Sequence, residues 1–114
     1  MLKKFNIIDE FDLVKEFWSP KIISELNGQC VKIAKLKGEF VWHNHEKEDE
    51  LFYVIKGQLK IELKGRTIIL NPGEMFTVPA GVDHRPVADE EVHVILFEPK
   101  TTVNKGSADT NCIK

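Results

Sequence analysis

The sequence predicts an all-β barrel or sandwich, on three observations. Gly57, Gly65, Gly73 and Gly81 recur every eight residues, and short apolar, β-rich runs lie before and between them, at residues 51–55, 59–63, 66–70 and 75–78. Turn signals at this spacing mark a meander of short strands. Asn27-Gly28 is a two-residue hairpin signal, since both residue types tolerate positive φ. In the run 58–63, Gln58, Lys60 and Glu62 alternate with Leu59, Ile61 and Leu63. That period of two turns polar groups to one face and apolar groups to the other.

Taken in order, the first element is a helix over residues 9–18. Asp9 can cap it, Asp12 suits its positive end, and Phe11, Val14, Phe17 and Trp18 fall on one side. Pro20 stops it. The Asn27-Gly28 turn then joins a strand at 22–26 to one at 29–36. Asn71-Pro72-Gly73 and Pro79-Ala80-Gly81 are loops, because proline cannot donate to a ladder. The last strand runs over 91–97 and ends at Pro99. Residues 1–100 are expected to form one domain, with 1–20 as an N-terminal wrap. Residues 101–114 make a polar tail whose Val103 or Ile113 can dock on the barrel or on a partner.

The chain has 114 residues, 42% of them apolar and 30% charged, which suits one soluble domain with a real core. Sixteen Lys and Arg against eighteen Asp and Glu give a net charge of −2. This balance excludes nucleic-acid binding by bulk electrostatics. No run approaches the roughly 20 apolar residues that span a bilayer. Asn6 and Asp9 interrupt the only apolar stretch near the N-terminus, so no signal peptide is expected. Cys30 and Cys112 form no CxxC, and reduced thiols in a cytoplasmic protein are the plainest reading.

The chemistry lies in the histidines. His43 and His45 are two apart on a predicted strand, so they share a face, about 7 Å apart along it. The charged stretch from Glu46 to Asp49 reads as a solvated turn, after which Glu50 starts the next strand and can face back to the imidazoles. His84 follows the Pro79-Ala80-Gly81 turn and can close the site from another strand. Three neutral imidazoles and one carboxylate suit a divalent transition metal such as Fe, Mn, Ni, Cu or Zn. Four protein ligands on a six-coordinate ion leave two positions open, unlike a closed structural zinc site. By strand parity Val41, Phe52 and Val54 line the cavity, while Trp42 and Tyr53 point the other way. His93 reads first as a core or interface histidine with a satisfied hydrogen bond, and second as a group facing the cavity. Few charged residues have inward parity near the ligands, which argues against a large polyanionic substrate.

The run Gly38-Glu39-Phe40-Val41-Trp42-His43-Asn44-His45, then Glu50, then Gly57, resembles the first cupin motif. Gly73, then Pro79-Ala80-Gly81, then His84 resembles the second. The chain is thereby identified as a small single-domain cupin, over roughly residues 38–88. The resemblance implies a double-sheet jelly-roll barrel with a metal inside, and gives the ligand roles to His43, His45, Glu50 and His84. Two positions depart from the pattern. Gly38 sits one residue closer than usual to the first histidine, and Ala88 stands where asparagine often ends the second motif; neither is a ligand position.

The expected function is a metal-dependent enzyme on a small molecule that chelates the ion, with dioxygenase, isomerase or lyase chemistry. The other readings are a non-enzymatic module that binds or senses a small ligand, and a structural barrel tied by its metal. Exposed strand edges and the aromatics Trp18, Trp42 and Tyr53 predict a homodimer.

Overall fold

The computed structural model describes residues 3–102. One helix, α1 (Ile7–Asp12), precedes seven strands: β1 (Lys21–Leu26), β2 (Gln29–Glu39), β3 (Glu50–Lys56), β4 (Leu59–Leu63), β5 (Arg66–Leu70), β6 (Met75–Val78) and β7 (His84–Pro99). All strand pairs are antiparallel. The hairpin between β1 and β2 turns on Asn27 and Gly28, at φ 49° and 78°, which is the primed turn that this dipeptide favours.

The long strand β7 organises the barrel. One edge pairs with β2, from Gln29 opposite Pro99 to Glu39 opposite Val87. The other edge has two partners: β4 along its first residues, from Leu63 opposite His84 to Lys60 opposite Val87, and β3 along its last, from Lys56 opposite His93 to Leu51 opposite Phe97. A strand shared in this way has to bend between its partners. The bend is a bulge at Asp89, Glu90 and Glu91, where Leu36 still faces Val92 but Gly38 faces Ala88. Gly57 packs into the bend at φ 84°, and a Cβ there would lie 2.5 Å from the Glu91 carbonyl oxygen. Only glycine fits that position.

The sheet folds over and encloses a core that includes Leu36, Phe52, Val54, Leu59, Ile61, Val94 and Leu96. This is the double-sheet jelly-roll that the resemblance implies, with its short N-terminal helix. A smaller apolar layer lies on the outside, where Phe11 and Val14 cover Ile33. Successive residues of β2 and β7 therefore serve both layers, Ile33 outward and Ala34 inward, so these strands read as continuous apolar runs.

Three elements differ from expectation. The helix is shorter and starts earlier: Asn6 is the cap, its Oδ1 accepting from the Asp9 N–H at 3.1 Å. It stops before Trp18 because that residue is bound elsewhere. The Trp18 backbone N–H donates to the Lys35 carbonyl (2.9 Å) and its indole Nε1–H to the Lys37 carbonyl (2.8 Å), with φ at 60°. These bonds to β2 are incompatible with a continuing helix. Secondly, β7 begins seven residues before the expected Glu91. Pro86 interrupts the sequence signal, yet its carbonyl accepts from the Phe40 N–H and the residue keeps its place opposite Ile61. Thirdly, His43 and His45 lie between β2 and β3 rather than on a strand, as the next section describes. At the C-terminal end, Thr102 is buried; Val103, Cys112 and Ile113 lie outside the described residues. Among those described, no helix is long and apolar enough to cross a membrane.

Candidate metal centre

A single rung holds the first ligand segment in place. The His43 N–H donates to the His84 carbonyl (3.0 Å) and the His84 N–H to the His43 carbonyl (2.9 Å). Further ties join the same two segments: Gly81 N–H to the His45 carbonyl (2.8 Å), Asn44 Nδ2 to Asp83 Oδ1 (2.8 Å), and Ala80 N–H to Asp49 Oδ1 (2.8 Å). The acidic turn thus helps clamp the loop that carries His84. Glu50, the first residue of β3, faces inward opposite Val78.

These elements bring His43, His45, Glu50 and His84 together. All four are buried, and one ligand atom from each lies within 4.8 Å of the others. The imidazole of His43 is edge-on to His45 at 4.9 Å between centroids and lies 4.3 Å from His84. The tautomers of two rings follow from their partners. His43 Nδ1 is 2.9 Å from the Val41 carbonyl and His84 Nδ1 is 3.0 Å from the Val82 carbonyl. A carbonyl only accepts, so each Nδ1 carries the hydrogen and each Nε2 keeps its lone pair.

Glu50 Oε1 lies 3.3 Å from His45 Nε2 and 3.5 Å from His84 Nε2. Both nitrogens of His45, Nε2 of His84 and Oε1 of Glu50 are buried without a hydrogen-bond partner. Buried polar atoms are normally paired. Three of the four converging residues thus carry buried polar atoms without partners, which fits a cation, and the donor set of three imidazoles and one carboxylate fits a divalent transition metal. Burial holds the His43 pKa down at about 4, so that ring stays neutral and able to ligate. The Glu50 carboxylate is held well below the ordinary range, against its burial, by His45, His84 and Glu98.

The centre opens on one side into a narrow cavity of about 40 Å³. His43 and Glu50 are its polar wall; Trp18, Leu36, Phe40, Phe52, Pro86 and Leu96 supply apolar walls, and no lysine or arginine among the described residues lines it. Trp18 stacks on Phe40 at 4.8 Å, and Phe40 meets the edge of His43 at 5.3 Å.

The other expected residues divide. Phe52 lines the cavity and Val54 is buried in the core beside it. Val41 does not line it and is 43% exposed. The parity argument fails there because residues 40–45 do not form a regular strand. His93 does not face the cavity either. It lies on the outer layer, stacked on Phe11 at 4.8 Å with Nε2 2.6 Å from Glu91 Oε2, as its first reading expects. Trp42 points away from the site, with the Lys64 ammonium 4.1 Å from its ring centroid.

Sequence reasoning missed four residues near the centre. Trp18 and Phe40 form an aromatic wall, and Lys32 and Glu98 form an ion pair at 2.5 Å inside the barrel. Both members of the pair are nearly inaccessible, at 4% and 1%. Glu98 shares its face with Val94 and Leu96, a parity that was open to reading.

The comparisons with known proteins agree with the architecture. The sequence model of the cupin domain matches residues 31–98. The uncharacterized protein YdbB of Bacillus subtilis (strain 168) is 38% identical over 86 residues, 75% of this chain and 76% of that one. A crystal structure of a cupin-2 domain containing protein from Shewanella frigidimarina superposes with a TM-score of 0.83 at 43% identity, covering 84% of this chain and 94% of the other. Quercetin 2,3-dioxygenase of Bacillus subtilis (strain 168) is 43% identical over 83 residues, 64% of this chain but only 25% of that enzyme. With well over half its length inside the family model, and with a relative and a solved structure similar across most of both chains, the chain belongs to the cupin family.

Proposed function

We propose that this chain is a metal-dependent enzyme acting on a small molecule that chelates the ion through neighbouring oxygens. The observation that carries the reading is the meeting of four buried ligand residues, three of them with unpartnered polar atoms, at the wall of an apolar cavity. His43, His45, Glu50 and His84 would hold the ion. A divalent transition metal there supplies Lewis-acid polarisation of a bound enol or hydroxyl and, if it is iron, oxygen chemistry.

The chain's own residues do the rest. The Val41 and Val82 carbonyls fix two imidazoles in the ligating tautomer. Trp18, Phe40, Phe52 and Leu96 exclude water and pack against the apolar body of the substrate. Because no lysine or arginine among the described residues lines the cavity, a phosphorylated substrate would find no counter-charge from them there. The partial likeness to quercetin 2,3-dioxygenase supports a dioxygenase, with isomerase or lyase chemistry as the other arms. A cytoplasmic setting keeps the free Cys30 thiol reduced, and a homodimer would cover edge strand β1, where Ile22 and Leu26 stand exposed.

Elemental analysis of protein purified without chelator tests the reading, followed by equilibrium dialysis against Fe(II), Mn(II) and Zn(II). Iron supports dioxygenase chemistry; manganese or zinc supports isomerase or lyase chemistry. The expected result is one ion per chain in the wild type and at least a tenfold weaker uptake in His45→Ala. Failure to take up any of these ions overturns the proposal.

A further inference from the structure

The barrel interior holds a second polar group that the metal centre itself does not require. Lys32 lies on β2 and Glu98 on β7, both turned inward. The register explains the meeting. Cys30 is opposite Glu98 and Lys32 is opposite Leu96, so Lys32 is the diagonal neighbour of Glu98 on the inner face. On the other side, Leu51 is opposite Phe97, and one more step puts Glu50 beside Glu98. By register Glu98 therefore stands between the Lys32 ammonium and the side chain of Glu50, with all three buried. Lys32 is the only lysine or arginine among the described buried residues.

Burying an ion pair seldom adds stability over apolar residues of equal size. A pair retained inside a small barrel, beside one candidate ligand and itself outside the cavity lining, has another use. We propose that Glu98 is a positioning residue for Glu50: it holds the Glu50 side chain so that Oε1 is aimed between His45 and His84. This rests on the metal-centre reading. The direct contact to the ion belongs to Glu50; Glu98 acts through it, and Lys32 offsets the charge of Glu98. Partners of this kind are worth 10- to 100-fold in metal affinity.

The test compares two double variants that both remove the buried charges. Lys32→Met/Glu98→Leu replaces the pair with apolar side chains of similar size. Lys32→Met/Glu98→Gln keeps a hydrogen-bonding group of the same length beside Glu50. Zn(II) affinity is measured by chelator competition, and Co(II) visible spectra report the ligand geometry. The expected result is a 10- to 100-fold loss of Zn(II) affinity and an altered Co(II) spectrum for the leucine variant. The glutamine variant should stay within about threefold of wild type, with the wild-type spectrum. Equal affinity and spectra in all three proteins would overturn the proposal, as would equal losses in both variants. If the leucine variant does not fold, Glu98→Asp substitutes for it. That change keeps the charge pair but withdraws the carboxyl from Glu50, and undiminished affinity there rejects the positioning role. The two readings fail differently: a wild type that binds no metal removes both, whereas metal binding indifferent to position 98 removes only this one.

Discussion

Two buried polar groups share the barrel, and they satisfy opposite rules. Lys32 and Glu98 neutralise one another in a contact sealed from water. His43, His45, Glu50 and His84 bring one ligand atom each within 4.8 Å of the others, and His45, Glu50 and His84 keep buried polar atoms there without a hydrogen-bond partner. The first group has its cation within the chain, although Glu98 Oε1 lacks a hydrogen-bond partner; the second has no cation among the described residues. The contrast separates a polar group that a fold tolerates from one that a fold keeps for a ligand. Burial alone would not distinguish them, since all six side chains are almost inaccessible.

The largest expected effect comes from breaking the first group. In metal-free protein at pH 9, above the Glu98 pKa of about 8, Lys32→Met leaves a buried carboxylate without its cation and should cost about 3–5 kcal/mol in urea unfolding. His45→Ala, in the same metal-free protein, removes an imidazole whose nitrogens have no partner. Its cost should stay within about 1 kcal/mol, because the 3.3 Å contact to Glu50 that it gives up is offset by the loss of a buried imidazole whose Nδ1 has no partner. Adding Zn(II) should widen the gap between wild type and His45→Ala, since binding to the native state stabilises only the protein that binds. Equal destabilisation by the two substitutions without metal would erase the distinction between the groups.

The pH dependence of the metal-free protein sharpens the comparison. His43 is lowered by burial from 6.5 to about 4. The unfolded chain binds the proton more readily there, so this contribution is whole above pH 6.5 and is lost as pH falls through 4. Glu98 is pushed from 4.5 up to about 8 by its burial and by Glu50. Here the folded state binds the proton more readily, so the contribution is whole below pH 4.5 and is lost as pH rises through 8. Glu50, held low by its histidines, adds a contribution present above pH 4.5 and lost in acid. Between pH 4.5 and 6.5 the His43 and Glu98 slopes oppose each other. Chemical unfolding across pH 3–9 should therefore give a plateau near pH 4.5–6.5, with stability falling on both sides by at most about 1.4 kcal/mol per pH unit for each group. Glu98→Gln should flatten the alkaline side. A profile that rises steadily from pH 5 to 8 would contradict the placement of Glu98. For the candidate metal centre, His43 stays neutral, and so able to ligate, well below the pH near 6 at which an ordinary histidine protonates.

How much of this was open to sequence reading depends on whether spacing or register carries the information. The four candidate ligands were legible because each stands at a fixed distance from a turn: His43 and His45 before the acidic turn, Glu50 just after it, His84 after Pro79-Ala80-Gly81. The Asn27-Gly28 hairpin was legible for the same local reason. Lys32 was not. In β2 both faces are covered, Ile33 by the helix and Ala34 by the barrel core, so no polar alternation marks which face Lys32 takes. Only the pairing of β2 with β7 decides it. Trp18 was misread for a related reason. Its apolar spacing fits a helix face, but two hydrogen bonds to β2 carbonyls far along the chain outweigh local propensity. Val41 shows the limit of parity, which holds along a strand and fails in a segment held by one rung.

The smallest expected effect belongs to a histidine outside both groups. His93 has what the centre's histidines lack: its Nε2 is paired with Glu91, and its ring is stacked on Phe11. Its neighbours are satisfied without an ion, so it offers nothing for a metal to complete. His93→Ala should leave Zn(II) affinity unchanged within about twofold. It should lower stability by about 1 kcal/mol, the worth of an aromatic stack and a partly exposed pair between α1 and the sheet. The same dialysis and urea measurements applied to His45→Ala and His93→Ala form a crossed pair. One should lose metal and keep its metal-free stability; the other should keep metal and lose a little stability. A His93 variant that binds metal as poorly as the His45 variant would mean that the ion is held somewhere other than among the four converging side chains.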